Sequence, residues 1–234
     1  PVLDGSVLRV DPIYEIPQDV DYATGNVRFE GTVVVRGNVR NGFSVVAGVD
    51  LEVFGHVENA RLQAQRDVVI HGGLLGGQAR VEAGQDVRVR HVEHGAILAD
   101  RDIRVTQYAL HGALFSGGSI SFQGRRGVIG GRLEAFERID VFTAGTPLGT
   151  RTHLVAGSHF RVRLQLQETK ERLAELEPRI VQAGAVIQAA RARFTENGRL
   201  CLPPELAERV ERLLAHYDHL VEESRTLQER SAVL

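Results

Sequence analysis

The sequence predicts a mainly β chain with an α-helical tail: a right-handed parallel β-helix followed by an antiparallel coiled-coil helical hairpin. Three observations carry this. A seven-residue phrase recurs every 16–19 residues. Of the 25 glycines, 23 lie at or before Gly157. Beyond Gly157 the apolar residues change to a seven-residue spacing.

The phrase is clearest in Ala47-Gly-Val-Asp50-Leu-Glu-Val53, Ala64-Gln-Arg-Asp67-Val-Val-Ile70, Ala83-Gly-Gln-Asp86-Val-Arg-Val89 and Ala99-Asp-Arg-Asp102-Ile-Arg-Val105. Weaker copies start at Phe29, Ser116 and Ala135. A unit this short cannot bury its own apolar face, so neighbouring units must stack. Helical repeats need longer units, and the leucine scaffold of leucine-rich repeats is absent. Alternating Val-x-Val phrases with Gly, Asn and Asp turns fit coils of a parallel β-helix. Val, Ile and Leu then point inward and Arg, Glu and Gln outward. The small Ala or Ser sits inward at a corner. The Asp three residues later offers its carboxylate to a turn N–H. Seven coils at about 4.8 Å each make a rod of about 30–35 Å. Right-handed winding is expected because the left-handed hexapeptide helix needs a strict six-residue period. Residues 1–28 are read as a leading cap segment, 29–157 as the solenoid and 158–234 as the hairpin.

In the tail, Leu166, Leu173, Ile180, Ile187 and Phe194 stand seven apart, with Thr169, Leu176, Ala183 and Ala190 between them. Leu206, Leu213, Leu220, Leu227 and Leu234 repeat the spacing, with Val210 and Tyr217 between. These are heptad seams. Ser158 is the candidate cap of the first helix. Pro178 removes one donor inside it, and Asn197-Gly198 ends it. Pro203-Pro204 opens the second, with Pro204 at a first helical position. The hairpin is expected to be about 45–50 Å long.

Composition sets further bounds. The chain has 234 residues, 43% hydrophobic and 25% charged, with a formal net charge of −2. That balance argues against a nucleic-acid partner. No apolar run approaches the roughly 20 residues of a membrane span. No methionine is present, so the sequence is read as a fragment of a longer protein. Cys201 is the only cysteine, which forbids an intrachain disulfide and fits a reducing compartment. It is read as structural or incidental.

No catalytic, cofactor-binding or metal-binding residue is assigned. His94 and His111 begin matching His-Gly-Ala phrases 17 residues apart, and His56, His71 and His91 lie nearby. They are read as turn residues stacked by register rather than zinc ligands. Asp50, Asp67, Asp86 and Asp102 are read as turn caps rather than a calcium site, since the nine-residue calcium repeat is absent. Gly72-Gly73 and Gly76-Gly77, like Gly130-Gly131, are read as coil turns with positive φ. None of them fits a phosphate loop. Arg125, Arg126, Arg132 and Arg138 form a local basic patch, read as a solvated face.

Asp21-Tyr-Ala-Thr-Gly-Asn-Val27, then Gly31-Thr-Val-Val-Val-Arg-Gly37-Asn-Val39 and Gly42-Phe-Ser-Val-Val-Ala47, resemble the flagellar assembly protein A family. Gly130-Gly131 through Ala135, Ile139, Gly149-Thr150, Thr152 and Gly157 are similar too. The resemblance runs from about Asp11 to the end. It implies a non-enzymatic cytoplasmic scaffold or adaptor at the cell pole, helping polar flagellum assembly. It also implies a phosphotransferase-system EIIA component as partner, bound in its unphosphorylated form. The heptad seam adds a homodimer as the expected assembly. Two other readings stand beside it. One is a left-handed β-helix trimer acting as acyltransferase or zinc hydratase. The other is a bactofilin-like polymer, which needs free rod ends; here the leading segment and the hairpin base are expected to cover them.

Overall fold

A computed structural model describes residues 2–4, 7–9, 12–196, 199–200 and 204–233. Asn197, Gly198, Cys201, Pro203 and Leu234 lie outside the described residues. The chain divides into two compact units, Pro1–Phe160 and Arg161–Leu234.

The first unit is a parallel β-solenoid of about eight turns with three faces per coil. The first face stacks Ile13–Ile16, Thr32–Val35, Leu51–Val53, Val68–Leu75, Val87–Glu93, Ile103–Leu110, Ile120–Phe122 and Ile139–Asp140. Its three longest strands bend at β-bulges, after Ile70 and Val89 among them, into the second face. That face continues through Val57–Glu58 and Gly127–Ile129 and through the bridges of Val39 to Val20 and Val57. The third face stacks Val27–Phe29, Ser44–Ala47, Arg61–Ala64, Arg80–Ala83, Ala96–Ala99, Ala113–Ser116, Gly131–Ala135 and Thr152–Ala156.

Register explains the core. Val33, Leu51, Val68, Val87, Ile103 and Ile120 pair in succession along the first face, and all are buried. Val45, Leu62, Val81, Ile97, Leu114 and Leu133 do the same along the third. Each column places like on like, so the inward residue of one coil fills the hollow of the next. Ala47, Ala64, Ala83, Ala99, Ser116 and Ala135 form the expected small inward column. Ser116 is accommodated because its hydroxyl donates to the Arg101 and Ser119 carbonyls and accepts the Gly118 N–H.

The repeat phrase counted from Phe29 gives seven coils, and the ladder has one more. Ile13–Ile16 already pairs in parallel register with Thr32–Val35. Its phrase carries no small corner residue, and Ile13 and Tyr14 are exposed, so neither alternation nor repeat marks it.

The second unit is a helical hairpin. Helix α1 spans Phe160–Phe194 and α2 spans Pro204–Val233. Arg172 meets Glu223 and Gly184 meets Tyr217, so the helices run antiparallel. Heptad positions Thr169, Leu176, Ile187, Leu220 and Ser224 are buried. Helix α1 runs through exposed Pro178. The Ser158 hydroxyl, ahead of the helix, donates to Glu134, a carboxylate fully buried on the third face. Phe160-Arg-Val162 forms the first turn of α1. Among the described residues, no helix is long and apolar enough to cross a membrane.

Candidate interaction surface

Each corner of the coil is held by side chains that bond to the next coil. Between the third and first faces, Asp50 accepts the backbone N–H of Asp67, Asp67 that of Asp86, and Asp86 that of Asp102, at 3.1–3.2 Å. Asp102 accepts the N–H of Ser119 at 2.9 Å. The expected turn bonds therefore run between coils. Arginines flank the column, with Arg104 bonded to both Asp86 and Asp102.

Between the first and second faces, Asp19 accepts the N–H of Asn38 at 2.7 Å and Asn38 that of His56 at 2.8 Å. His56 Nδ1 accepts the N–H of Gly73 at 2.9 Å. The Asn38 N–H, seconded by the Asn38 amide and Arg40, holds the Asp19 carboxyl below its ordinary pKa. His91 continues the column, its ring stacked on Tyr108 at 5.2 Å. Tyr108 donates to Glu93 and lies under Arg126. Burial pushes the His91 pKa down, and its Nδ1 has no hydrogen-bond partner among the described residues.

Between the second and third faces the chain turns through the left-handed region at Asn59, His94 and His111, with φ of 41°, 61° and 50°. His94 and His111 stack at 5.1 Å, as their matched phrases require. His71 is elsewhere, stacked on Phe54 and bonded to Glu52. Among the described residues, no three His, Cys, Asp or Glu side chains group to hold a metal.

Two expectations need correction. Of Gly72, Gly73, Gly76 and Gly77, only Gly76 has positive φ. Gly72 and Gly73 lie within a strand, where close approach excludes a side chain: a methyl on Gly72 would strike the Gly55 carbonyl, and one on Gly73 the His91 ring. Gly130 and Gly131 do take positive φ. The arginine patch is also divided. Arg132 pairs with Glu134, Arg138 with Asp140, and Arg126 lies over Tyr108.

The segment Asp21–Asn26 builds a rigid turn. Asp21 Oδ1 accepts the Ala23 N–H at 2.8 Å, Gly25 takes φ of 71°, and Asn26 Oδ1 accepts the Ser44 N–H at 2.9 Å. The turn holds Tyr22 95% exposed, edge-on against Phe43 at 5.2 Å. Beside it runs an open groove of about 540 Å³, lined by Asn26, Phe43, Asn59, Arg61, Gln78 and Arg80 among others. Sequence reading passed over this groove. Its signal was present: Arg61-Leu-Gln-Ala64 and Arg80-Val-Glu-Ala83 are the same phrase one coil apart.

A family model for the flagellar assembly protein A β-solenoid domain matches residues 12–234. The chain belongs to the flagellar assembly protein A family. No curated protein and no solved structure matches it. The family match takes in all eight strands of the first face, the Asp21–Asn26 turn and both helices. Membership in the flagellar assembly protein A family points to a scaffold-like role exercised through protein–protein contacts.

Proposed function

We propose that this chain is a non-enzymatic scaffold or adaptor that serves polar flagellum assembly or cell-pole organisation in the cytoplasm. The observation that carries the reading is the family match across residues 12–234. It is supported by a coil whose corners are tied by side chains, giving outward columns of fixed spacing. The partner we favour is an EIIA component of the phosphotransferase system in its unphosphorylated form, and the assembly a homodimer formed through the hairpin seam. The test is deletion of the gene in the source organism with a flagellar count, together with pull-down by the intact protein. Loss of polar flagella and capture of unphosphorylated EIIA are expected. Normal flagella in the deletion strain would sink the reading. Truncation at Gly157 with light scattering checks the dimer, and an unchanged mass would assign assembly to the solenoid.

A further inference from the structure

We propose that the groove beside Tyr22 and Phe43 docks an extended acidic segment of a partner protein through Arg61 and Arg80. The proposal rests on the scaffold reading and adds to it a place and a ligand chemistry.

The first argument is charge. Arg61 and Arg80 are register partners in adjacent parallel strands, so their side chains leave the sheet about 4.8 Å apart. Like charges side by side on a sheet repel. Arg80 is bonded to Glu82 of its own strand at 2.7 Å. The Arg61 side chain has no hydrogen bond or ion pair among the described residues. The first face differs in the number of carboxylates at hand. Arg88 and Arg104 are also register partners, and there two carboxylates, Asp86 and Asp102, bond to Arg104, with none on Arg88 among the described residues. At Arg61 and Arg80 the single carboxylate is held by Arg80, which leaves the Arg61 guanidinium open to an anion from outside. Guanidinium forks take carboxylates in pairs of parallel bonds.

The second argument is the aromatic lip. A tyrosine left 95% exposed contributes nothing to the core, yet three hydrogen bonds and a glycine in the left-handed region fix its turn. A rigid aromatic side chain next to a basic groove gives contact area at low entropic cost. The occupant therefore carries an apolar residue for Tyr22 and Phe43 and carboxylates for the arginines. At Gly77 the groove is open, with nothing within 4 Å of where a side chain would begin. The formal net charge of −2 and Glu82 on the rim favour a peptide over a phosphodiester strand.

The experiment is fluorescence anisotropy with a labelled decapeptide of alternating glutamate and leucine. A lysine–leucine counterpart and a labelled single-stranded oligonucleotide serve as comparisons. The expected result is saturable binding of the acidic peptide alone. Arg61→Gln/Arg80→Gln should weaken it roughly tenfold or more and Tyr22→Ser about threefold, from the worth of charge-assisted bonds and aromatic contacts. All three side chains are exposed, so the variants should keep the parent's melting temperature. No binding of the acidic peptide, equal binding by the double variant, or preferred binding of the oligonucleotide would overturn the proposal. If the double variant also restores normal flagella to a deletion strain, the groove fails while the scaffold reading stands.

Discussion

The Asp86 carboxylate accepts the backbone N–H of Asp102, its counterpart sixteen residues later, at 3.2 Å. Both residues repeat the same relationship with other coils, so one side chain type spaces the corner across five coils. The bond costs little to form because the parallel stack already aligns donor and acceptor. Asp86→Ala leaves the Asp102 N–H and Arg104 short of an acceptor and should cost about 1–3 kcal/mol in urea unfolding. Asp86→Asn keeps an acceptor oxygen, as Asn38 does for His56, and should cost less than the alanine variant. Equal losses for the two would show that the ladder bond is not what Asp86 supplies.

Gly73 faces the His91 ring without room for a methyl group. Gly73→Ala should destabilise the solenoid by about 1–3 kcal/mol through overpacking. Trimming the obstacle in Gly73→Ala/His91→Ala should recover part of that loss. A double-mutant cycle on unfolding midpoints measures the coupling, and strict additivity would deny the contact.

His91 also sets a pH dependence. Burial holds its pKa below the ordinary 6.5, ahead of a raising influence from Glu93 and lowering ones from His56 and Arg90. As pH falls through 6.5, the unfolded chain takes up a proton that the folded chain refuses. The stability due to neutral His91 is therefore full above about 6.5 and is lost as pH falls toward the folded value. His91→Phe keeps the stack on Tyr108 and should flatten the loss of stability between neutral and mildly acidic pH. Urea midpoints taken at both ends of that range, for both proteins, decide it.

Asp19 acts in a lower window. Its folded pKa lies below 3.8, chiefly through the Asn38 N–H. The stability it lends is present above that value and disappears as pH falls through the folded one. Asp19→Asn should lower the melting temperature at neutral pH, where the carboxylate's contribution is full, and converge on the parent in acid, so that the acid-side slope of a thermal melt series is reduced. A slope identical to the parent's would place the acid sensitivity elsewhere.

Leu176 is fully buried in the helical unit. Leu176→Ala should cost that unit about 2–5 kcal/mol. Helical circular dichroism should then melt earlier, with the β signal of the solenoid unaltered.

Much of this molecule was legible from sequence because its interactions repeat. Ala47 to Asp50 and its copies announced the coil length, and alternation announced which side chains face inward. The spacing of His94 and His111 predicted their stacking. Leu176 and Leu220 marked the helical seam in the same way. The first coil escaped because Ile13–Ile16 is an end strand whose partners among the described residues lie on one side only. The glycine pair 72–73 was misread because close approach between coils, unlike a turn, leaves no local mark.

What the sequence determined by itself was the architecture, since a short periodic pattern has one economical way to bury its apolar side. What only the tertiary structure decided was which outward residues become neighbours. Arg61 and Arg80 stand nineteen residues apart in the chain and one strand apart in space. Tyr22 meets Phe43 because one full coil returns the chain to the same corner. Outward positions carry no burial pattern to read, so their meaning depends on register. Register is set by how long each coil is, and coil length varies from one turn to the next.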